Sequence, residues 1–292
     1  MHYAQHDVPV DGGTLRVGIW GQSGPVVLCS HGLSANHLSY QWLARELGDD
    51  YRIVAPDHRG RGFSDTIVGP WGMSAHADDV ARCLDYFELP TVPIMVGHSM
   101  GAFISAVTHH RHPSRIEQLL FIDGGLPLAD ELPSGISPEA LITAIVGPAM
   151  ERLDKEFASE EAFLDFWRAH PALANDWCPE LENYLRYELR GQAPAIRSCV
   201  RKEAILGDTE SQLMTDDIPN AIRDLRIPLE FLYAPKGLLN QEPLYSRERM
   251  AEMQTRLPQM DIVDVEGVNH YTILLSARGA KAIAERVRQL LD

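Results

Sequence analysis

The chain has 292 residues, 45% of them hydrophobic and 23% charged, which excludes intrinsic disorder and suits one large catalytic domain or a core with an inserted subdomain. Its 26 Lys and Arg against 41 Asp and Glu give a formal charge of −15, which argues against nucleic acid, whose phosphates need clustered positive charge. Four widely spaced cysteines form no metal-ligand cluster, and neither a leader nor a membrane-length apolar run is visible, so a cytoplasmic protein with no metal, no cofactor and no membrane partner is expected.

In chain order, residues 3–10 and 15–20 flank Asp11-Gly12-Gly13 and read as a β-hairpin. Residues 26–30, 53–55, 94–96 and 119–122 follow as short, continuously apolar strands of the buried parallel kind. Helical spacing lies between them, as at Val80, Leu84 and Phe87. From about 126 to 217 the strand signal disappears and helical stretches such as 162–167 and 184–189 replace it, which predicts an inserted helical cap. Strands resume at 229–233 and 262–265, and a last helix is expected over 273–291. The pattern is an α/β fold whose mostly parallel sheet is flanked by helices, with a core of residues 1–125 and 218–292 and a cap of 126–217.

Gly97-His98-Ser99-Met100-Gly101 matches G-x-S-x-G, in which small residues let a strand turn sharply into a helix while the serine adopts a strained backbone. A bare match arises by chance in roughly 0.1 chains of this length. Its setting is what makes it specific, because 94–96 reads as the strand before it and 102–109 as the helix after it. A solvated serine on a glycine-rich turn is the bland alternative.

With these residues in view, the chain resembles the α/β-hydrolase superfamily over nearly its whole length outside the cap. Three more segments carry the likeness: His31-Gly32-Leu33-Ser34, Asp57-His58-Arg59-Gly60-Arg61-Gly62-Phe63-Ser64 and Asn269-His270-Tyr271. The resemblance implies Ser99 as nucleophile, His270 as its general base, and the backbone N–H groups of Leu33 and Met100 as the oxyanion hole. It gives the 57–64 segment a structural role, with Arg59 anchoring the loop, and His31 the task of shaping the backbone. The other motif histidines (His58, His98, His109, His110 and His112) read as structural or exposed.

The triad acid is the open member. Relatives most often carry it just beyond the strand that here reads 229–233, but that slot holds Ala234-Pro235-Lys236-Gly237, and the next carboxylate is Glu242. A minority, including haloalkane dehalogenases and some lactonases, place it after the preceding core strand, where Asp123 stands in Ile122-Asp123-Gly124. Asp123 is the favoured candidate and Glu242 the alternative; Asp261 and Asp264 fall within the last strand.

The resemblance implies a cofactor-free hydrolase that cleaves a small-molecule carboxylic ester or lactone through an acyl-enzyme. Serine at the elbow excludes the alkyl-enzyme ester of dehalogenases and epoxide hydrolases, which need aspartate there. A carbon–carbon bond hydrolase and a non-catalytic small-molecule receptor are the competing readings. Cap aromatics (Phe157, Phe163, Phe166, Trp167, Trp177, Tyr184 and Tyr187) read mainly as packing. The cap arginines 186, 190, 197 and 201 either face solvent or hold a substrate carboxylate.

Overall fold

The computed structural model describes residues 1–130, 140 and 151–292. In chain order its strands are β1 (Tyr3–Val10), β2 (Gly13–Trp20), β3 (Val26–Ser30), β4 (Arg52–Pro56), β5 (Ile94–His98), β6 (Leu119–Ile122), β7 (Leu189–Arg190), β8 (Arg197–Ser198), β9 (Leu229–Tyr233) and β10 (Met260–Asp264). The helices that matter here are α1 (Gln41–Leu47), α2 (Met73–Tyr86), α3 (Met100–Arg111), α4 (Glu160–Arg168), α5 (Pro179–Arg186), α6 (Lys202–Met214), α7 (Asp217–Asp224), α8 (Arg247–Arg256) and α9 (Ala277–Leu291).

Eight strands among the described residues form one sheet in the order β1-β2-β4-β3-β5-β6-β9-β10. The β1–β2 hairpin and the β2–β4 pair are antiparallel, and every later pair is parallel. Alternation along each strand feeds two cores. Leu28, Met95, Phe121 and Phe231 pack with Met73, Val80 and Leu84 of α2 and Ile104 of α3 on one face. Val27, Val96, Ile122 and Leu232 pack with Trp42 and Leu43 of α1 and Ile283 and Val287 of α9 on the other. Strands buried on both faces show no alternation in sequence, which is why they read as continuous apolar runs.

The sequence expectation needs correction at two places. The stretch 184–189 is not one helix: α5 ends at Arg186, and β7 pairs with β8 across a turn at Gly191, whose φ is +88°. Two-residue strands carry no periodicity to read. The last helix starts at Ala277 rather than 273, because Ser276 caps it, accepting a hydrogen bond from Gly279 N at 3.1 Å. Of the expected cap, 131–139 and 141–150 lie outside the described residues.

Buried charge secures the loop after β4. Arg59 forms a two-pronged pair with Asp79 of α2, at 2.7 and 2.6 Å, with both side chains only 2% exposed. Asp57, fully buried, accepts from the His37 backbone and ring at 2.8 Å each, from Phe63 N at 2.9 Å and from the Tyr187 hydroxyl at 2.8 Å. One carboxylate thereby ties the β3–α1 connection, the β4 loop and the inserted segment together. Burial alone would raise its pKa, but the charge and N–H groups of His37 outweigh burial and hold it down at about 2, against an ordinary 3.8.

Because the folded value lies below the unfolded one, Asp57 contributes stability that is present above about pH 4 and lost as pH falls through about 2. Urea unfolding from pH 6 to 2 should show the wild type losing on the order of 2 kcal/mol more than Asp57→Asn. Parallel pH profiles for the two proteins would contradict this placement of the carboxylate.

Candidate active site

The site lies at the carboxyl ends of β5, β6 and β9, where parallel strands deliver their following residues side by side. Ser99 is the single residue between β5 and α3 and sits at φ +54°, ψ −120°. Its N–H is held by Ile122 O at 3.0 Å, and its own carbonyl accepts from Ala102 N at 3.1 Å. Glycine is required around it by space. A Cβ on Gly101 would lie 1.9 Å from Ser30 O, and one on Gly97 would lie 2.4 Å from Gly101 O.

Asp123 follows β6 one strand away, also at positive φ (+43°), with its N–H on Leu232 O of β9 at 2.9 Å. The side chain is fully buried; Oδ1 accepts from Ala234 N at 3.4 Å and Oδ2 from His270 Nδ1 at 2.7 Å. On the far side of the imidazole, His270 Nε2 lies 3.1 Å from the half-buried Ser99 Oγ. Carboxylate, imidazole and hydroxyl therefore form one continuous hydrogen-bonded chain. Glu242, the other acid candidate, is exposed on the loop after β9, and Asp264 is engaged on the surface by Arg247 at 2.7 Å.

The turn bearing His270 is fastened by groups to which the sequence reading gave no task. Asn269 Oδ1 accepts from Tyr271 N and Thr272 N at 3.0 and 2.9 Å, while its Nδ2 donates to Ala172 O at 2.8 Å. Lys236 O accepts from His270 N at 2.9 Å, and His270 O accepts from His98 Nε2 at 2.8 Å. Burial, reinforced by the neighbouring His270, pushes His98 down to about pKa 3, so its ring is neutral and Nε2 carries the donated proton. Gly124 was also missed: a Cβ there would lie 2.4 Å from Ser99 O, and the signal was a second glycine run directly after a core strand.

Opposite His270, the loop after β3 runs against the serine, since a Cβ on Gly32 would lie 3.3 Å from Ser99 Cβ. His31 braces this loop. Its Nδ1 donates to Gly32 O at 2.8 Å and its Nε2 accepts from His58 N at 3.0 Å, a pairing that requires the neutral ring that burial enforces, with a pKa near 3. Leu33 follows in the same loop. Met100 is the first residue of α3, so its N–H has no acceptor within the helix and sits at the positive end of the helix dipole.

The inserted segment reaches the site at the His270 turn, through Ala172 O and through His170, whose ring is 5.4 Å from Tyr271. Phe157, Phe163 and Tyr184 are packed inside it, while Phe166, Trp167 and Trp177 are half-buried. Arg186 pairs with Glu182 at 3.1 Å, Arg190 with Asp65 at 3.2 Å, and Arg201 donates to Asp65 O at 2.5 Å; Arg197 is exposed. No group of three or more His, Cys, Asp or Glu among the described residues is placed to hold a metal ion, and no helix among them is long and apolar enough to cross a membrane.

Comparison with known proteins places the fold. A family model described as alpha/beta hydrolase fold matches residues 25–175. The chain is 25% identical over 273 residues to 2-(acetamidomethylene)succinate hydrolase of Mesorhizobium japonicum, covering 92% of this chain and 90% of that protein. It is 22% identical over 286 residues to cis-3-alkyl-4-alkyloxetan-2-one decarboxylase of Shewanella oneidensis, covering 94% and 84%. A crystal structure of E-2-(acetamidomethylene)succinate hydrolase superposes over the full length of both chains with a TM-score of 0.80 at 21% identity, which speaks to the fold.

The close approach at Gly124 is testable by itself. Gly124→Ala should destabilise the protein by about 1–3 kcal/mol through overpacking against the Ser99 main chain, read from denaturant midpoints. An unchanged midpoint would mean that Gly124 does not run against the Ser99 main chain.

Proposed function

The chain belongs to the α/β-hydrolase fold family, and from that premise we propose that it is a serine hydrolase that opens a small-molecule carboxylic ester or lactone through an acyl-enzyme on Ser99. The observation that carries the reading is the chain from Asp123 through His270 to Ser99, at 2.7 and 3.1 Å. Residues 126–217 are proposed as a cap over the site, which the Asn269–Ala172 and His170–Tyr271 contacts support.

His270 Nε2 takes the Ser99 proton as Oγ bonds to the substrate carbonyl carbon, and Asp123 stabilises the imidazolium. The N–H groups of Leu33 and Met100 receive the oxyanion, a charge present only near the transition state. Collapse breaks the carbon–oxygen bond to the alcohol, which leaves with the proton from His270. Water then attacks the acyl carbon, gives its proton to His270 and, as that proton returns to Oγ, releases the acid and free Ser99.

The relative named for an oxetan-2-one, a four-membered cyclic ester, supports a lactone carbonyl as the group recognised. A second reading, hydrolysis of an N-acyl substrate by the same residues, is favoured by the relative named for 2-(acetamidomethylene)succinate, which is matched over nearly the whole chain.

The test is hydrolysis of p-nitrophenyl acetate and of a lactone panel by folded wild type, Ser99→Ala, Asp123→Asn and Glu242→Gln. Ser99→Ala and Asp123→Asn should each lose about 10³-fold or more in kcat, and Glu242→Gln should stay near wild type. An active Asp123→Asn would remove Asp123 from the mechanism. Absence of Ser99-dependent turnover on every ester and lactone would reject the ester reading and leave N-acyl cleavage, carbon–carbon cleavage or ligand reception.

A further inference from the structure

One buried cation touches both residues proposed to bind the oxyanion. Arg61, in the loop after β4, has no exposed surface. Its Nε donates to Leu33 O at 2.8 Å, its Nη1 donates to Arg59 O at 2.8 Å, and its Nη2 lies 4.0 Å from Met100 Sδ. The charge is met by Asp208 of α6, whose Oδ2 is 2.6 Å from Nη1. That carboxylate is itself fixed, accepting from Gly72 N at 2.6 Å and from His76 Nε2 at 3.0 Å.

We propose that Arg61, clamped by Asp208, is a positioning residue for the oxyanion-binding backbone, through which the inserted segment acts on the transition state. The inference rests on the serine-hydrolase reading and deepens it. Leu33 O is the acceptor of a rigid guanidinium fork, so the peptide following Leu33 has one orientation, and with it the Leu33 backbone that aims its N–H. The same guanidinium also lies against the Met100 thioether, at 4.0 Å. A buried ion pair adds little net stability compared with apolar packing of the same volume, and the loop already has an anchor in Arg59–Asp79. What the Arg61 pair adds is direction. Asp208 belongs to α6, not to the sheet, so the Arg61 contribution to the orientation of the Leu33 backbone is made only with α6 docked.

Oxyanion donors act over a narrow range of distance, and a misplacement of about 1 Å costs on the order of 10²-fold in rate. The loss falls on the transition state, not on ground-state binding.

The experiment uses the full chain with p-nitrophenyl acetate as substrate, phenylboronic acid as a tetrahedral Ser99 adduct, and a fluorophosphonate run to completion to count competent sites. Folded Arg61→Met should lose about 10- to 100-fold in kcat with KM nearly unchanged, and phenylboronic acid should bind more weakly by a similar factor. Asp208→Asn should show the same signature, Arg61→Lys should recover part of the loss, and Arg61→Met with Asp208→Asn should be no worse than Arg61→Met alone. Where Arg61→Met fails to fold, the charge-neutral double variant and Arg61→Lys supply the same comparison.

Wild-type kcat in a folded Arg61 variant overturns the proposal. So does a loss of rate that tracks the count of labelled sites while boronate affinity is unchanged, the mark of a merely structural role. A wild type that is not labelled at Ser99 overturns the serine-hydrolase reading itself, whereas a labelled wild type with unaffected variants overturns only the role of Arg61.

Discussion

Turning β5 straight into α3 at Ser99 sets the terms for everything around it. A non-glycine residue at φ +54° costs on the order of 1–3 kcal/mol and persists only where neighbours over-determine it. Here the neighbours are backbone. Ile122 O and Ala102 N hold the two sides of the Ser99 residue, Gly97 lets the turn close on the start of α3, and Gly101 and Gly124 let the end of β3 and the segment after β6 come within a distance that no side chain would allow. The serine hydroxyl is thus fixed by main chain, on the C-terminal edge of the sheet, before any side chain near it plays a part. Asp123 sits one strand away, so the span that His270 must bridge is set by strand spacing, not by a loop.

Beneath the loop after β3 lies a dense polar layer that follows a consistent electrostatic rule. The buried full charges pair with one another: Arg59 with Asp79, Arg61 with Asp208. His31, His58 and His98, which are equally buried, are driven toward neutrality by burial. A neutral imidazole offers one donor and one acceptor, and that suits the relay in which His31 donates to Gly32 O and accepts from His58 N, while His58 Nε2 meets Ser30 Oγ at 2.8 Å. The loop opposite the serine is thereby braced by directional bonds rather than by packing alone.

How far such a site can be read from sequence depends on where each constraint resides. The core strands were legible because burial on both faces leaves a continuous apolar run, and the Ser99 elbow because sterics force glycine on both sides of it. The β7–β8 hairpin was not legible, since a pair of two-residue strands has no period. Asn269 and His98 lay within motifs that had been singled out, yet their positioning bonds run to Ala172 and His270, across 97 and 172 residues of chain. Sequence favoured Asp123, directly after a core strand, over Glu242, displaced several residues beyond the next one, but it did so by resemblance and not by geometry. The distinction is one of geometry, with Asp123 buried against the imidazole and Glu242 exposed.

The proposed placement of the triad acid directly after β6 has a consequence for the loop after β9. In the commoner arrangement that loop must present an acidic side chain to the histidine, which restricts its sequence and its conformation. Here it meets Asp123 and His270 through main-chain atoms, Ala234 N on Asp123 and Lys236 O on His270 N, while its Asn240 Oδ1 accepts from Asn269 Nδ2 at 3.3 Å. Backbone groups are indifferent to the side chains that carry them. What Asp123 and His270 require of this loop is therefore its conformation, which Gly237, where a Cβ would lie 2.4 Å from Glu242 O, and Asn240, at φ +60°, help to set. By the same logic the side chain that the proposed triad demands is that of Asp123, whose fully buried carboxylate meets His270 from a residue held at positive φ beside the Gly124 contact with Ser99.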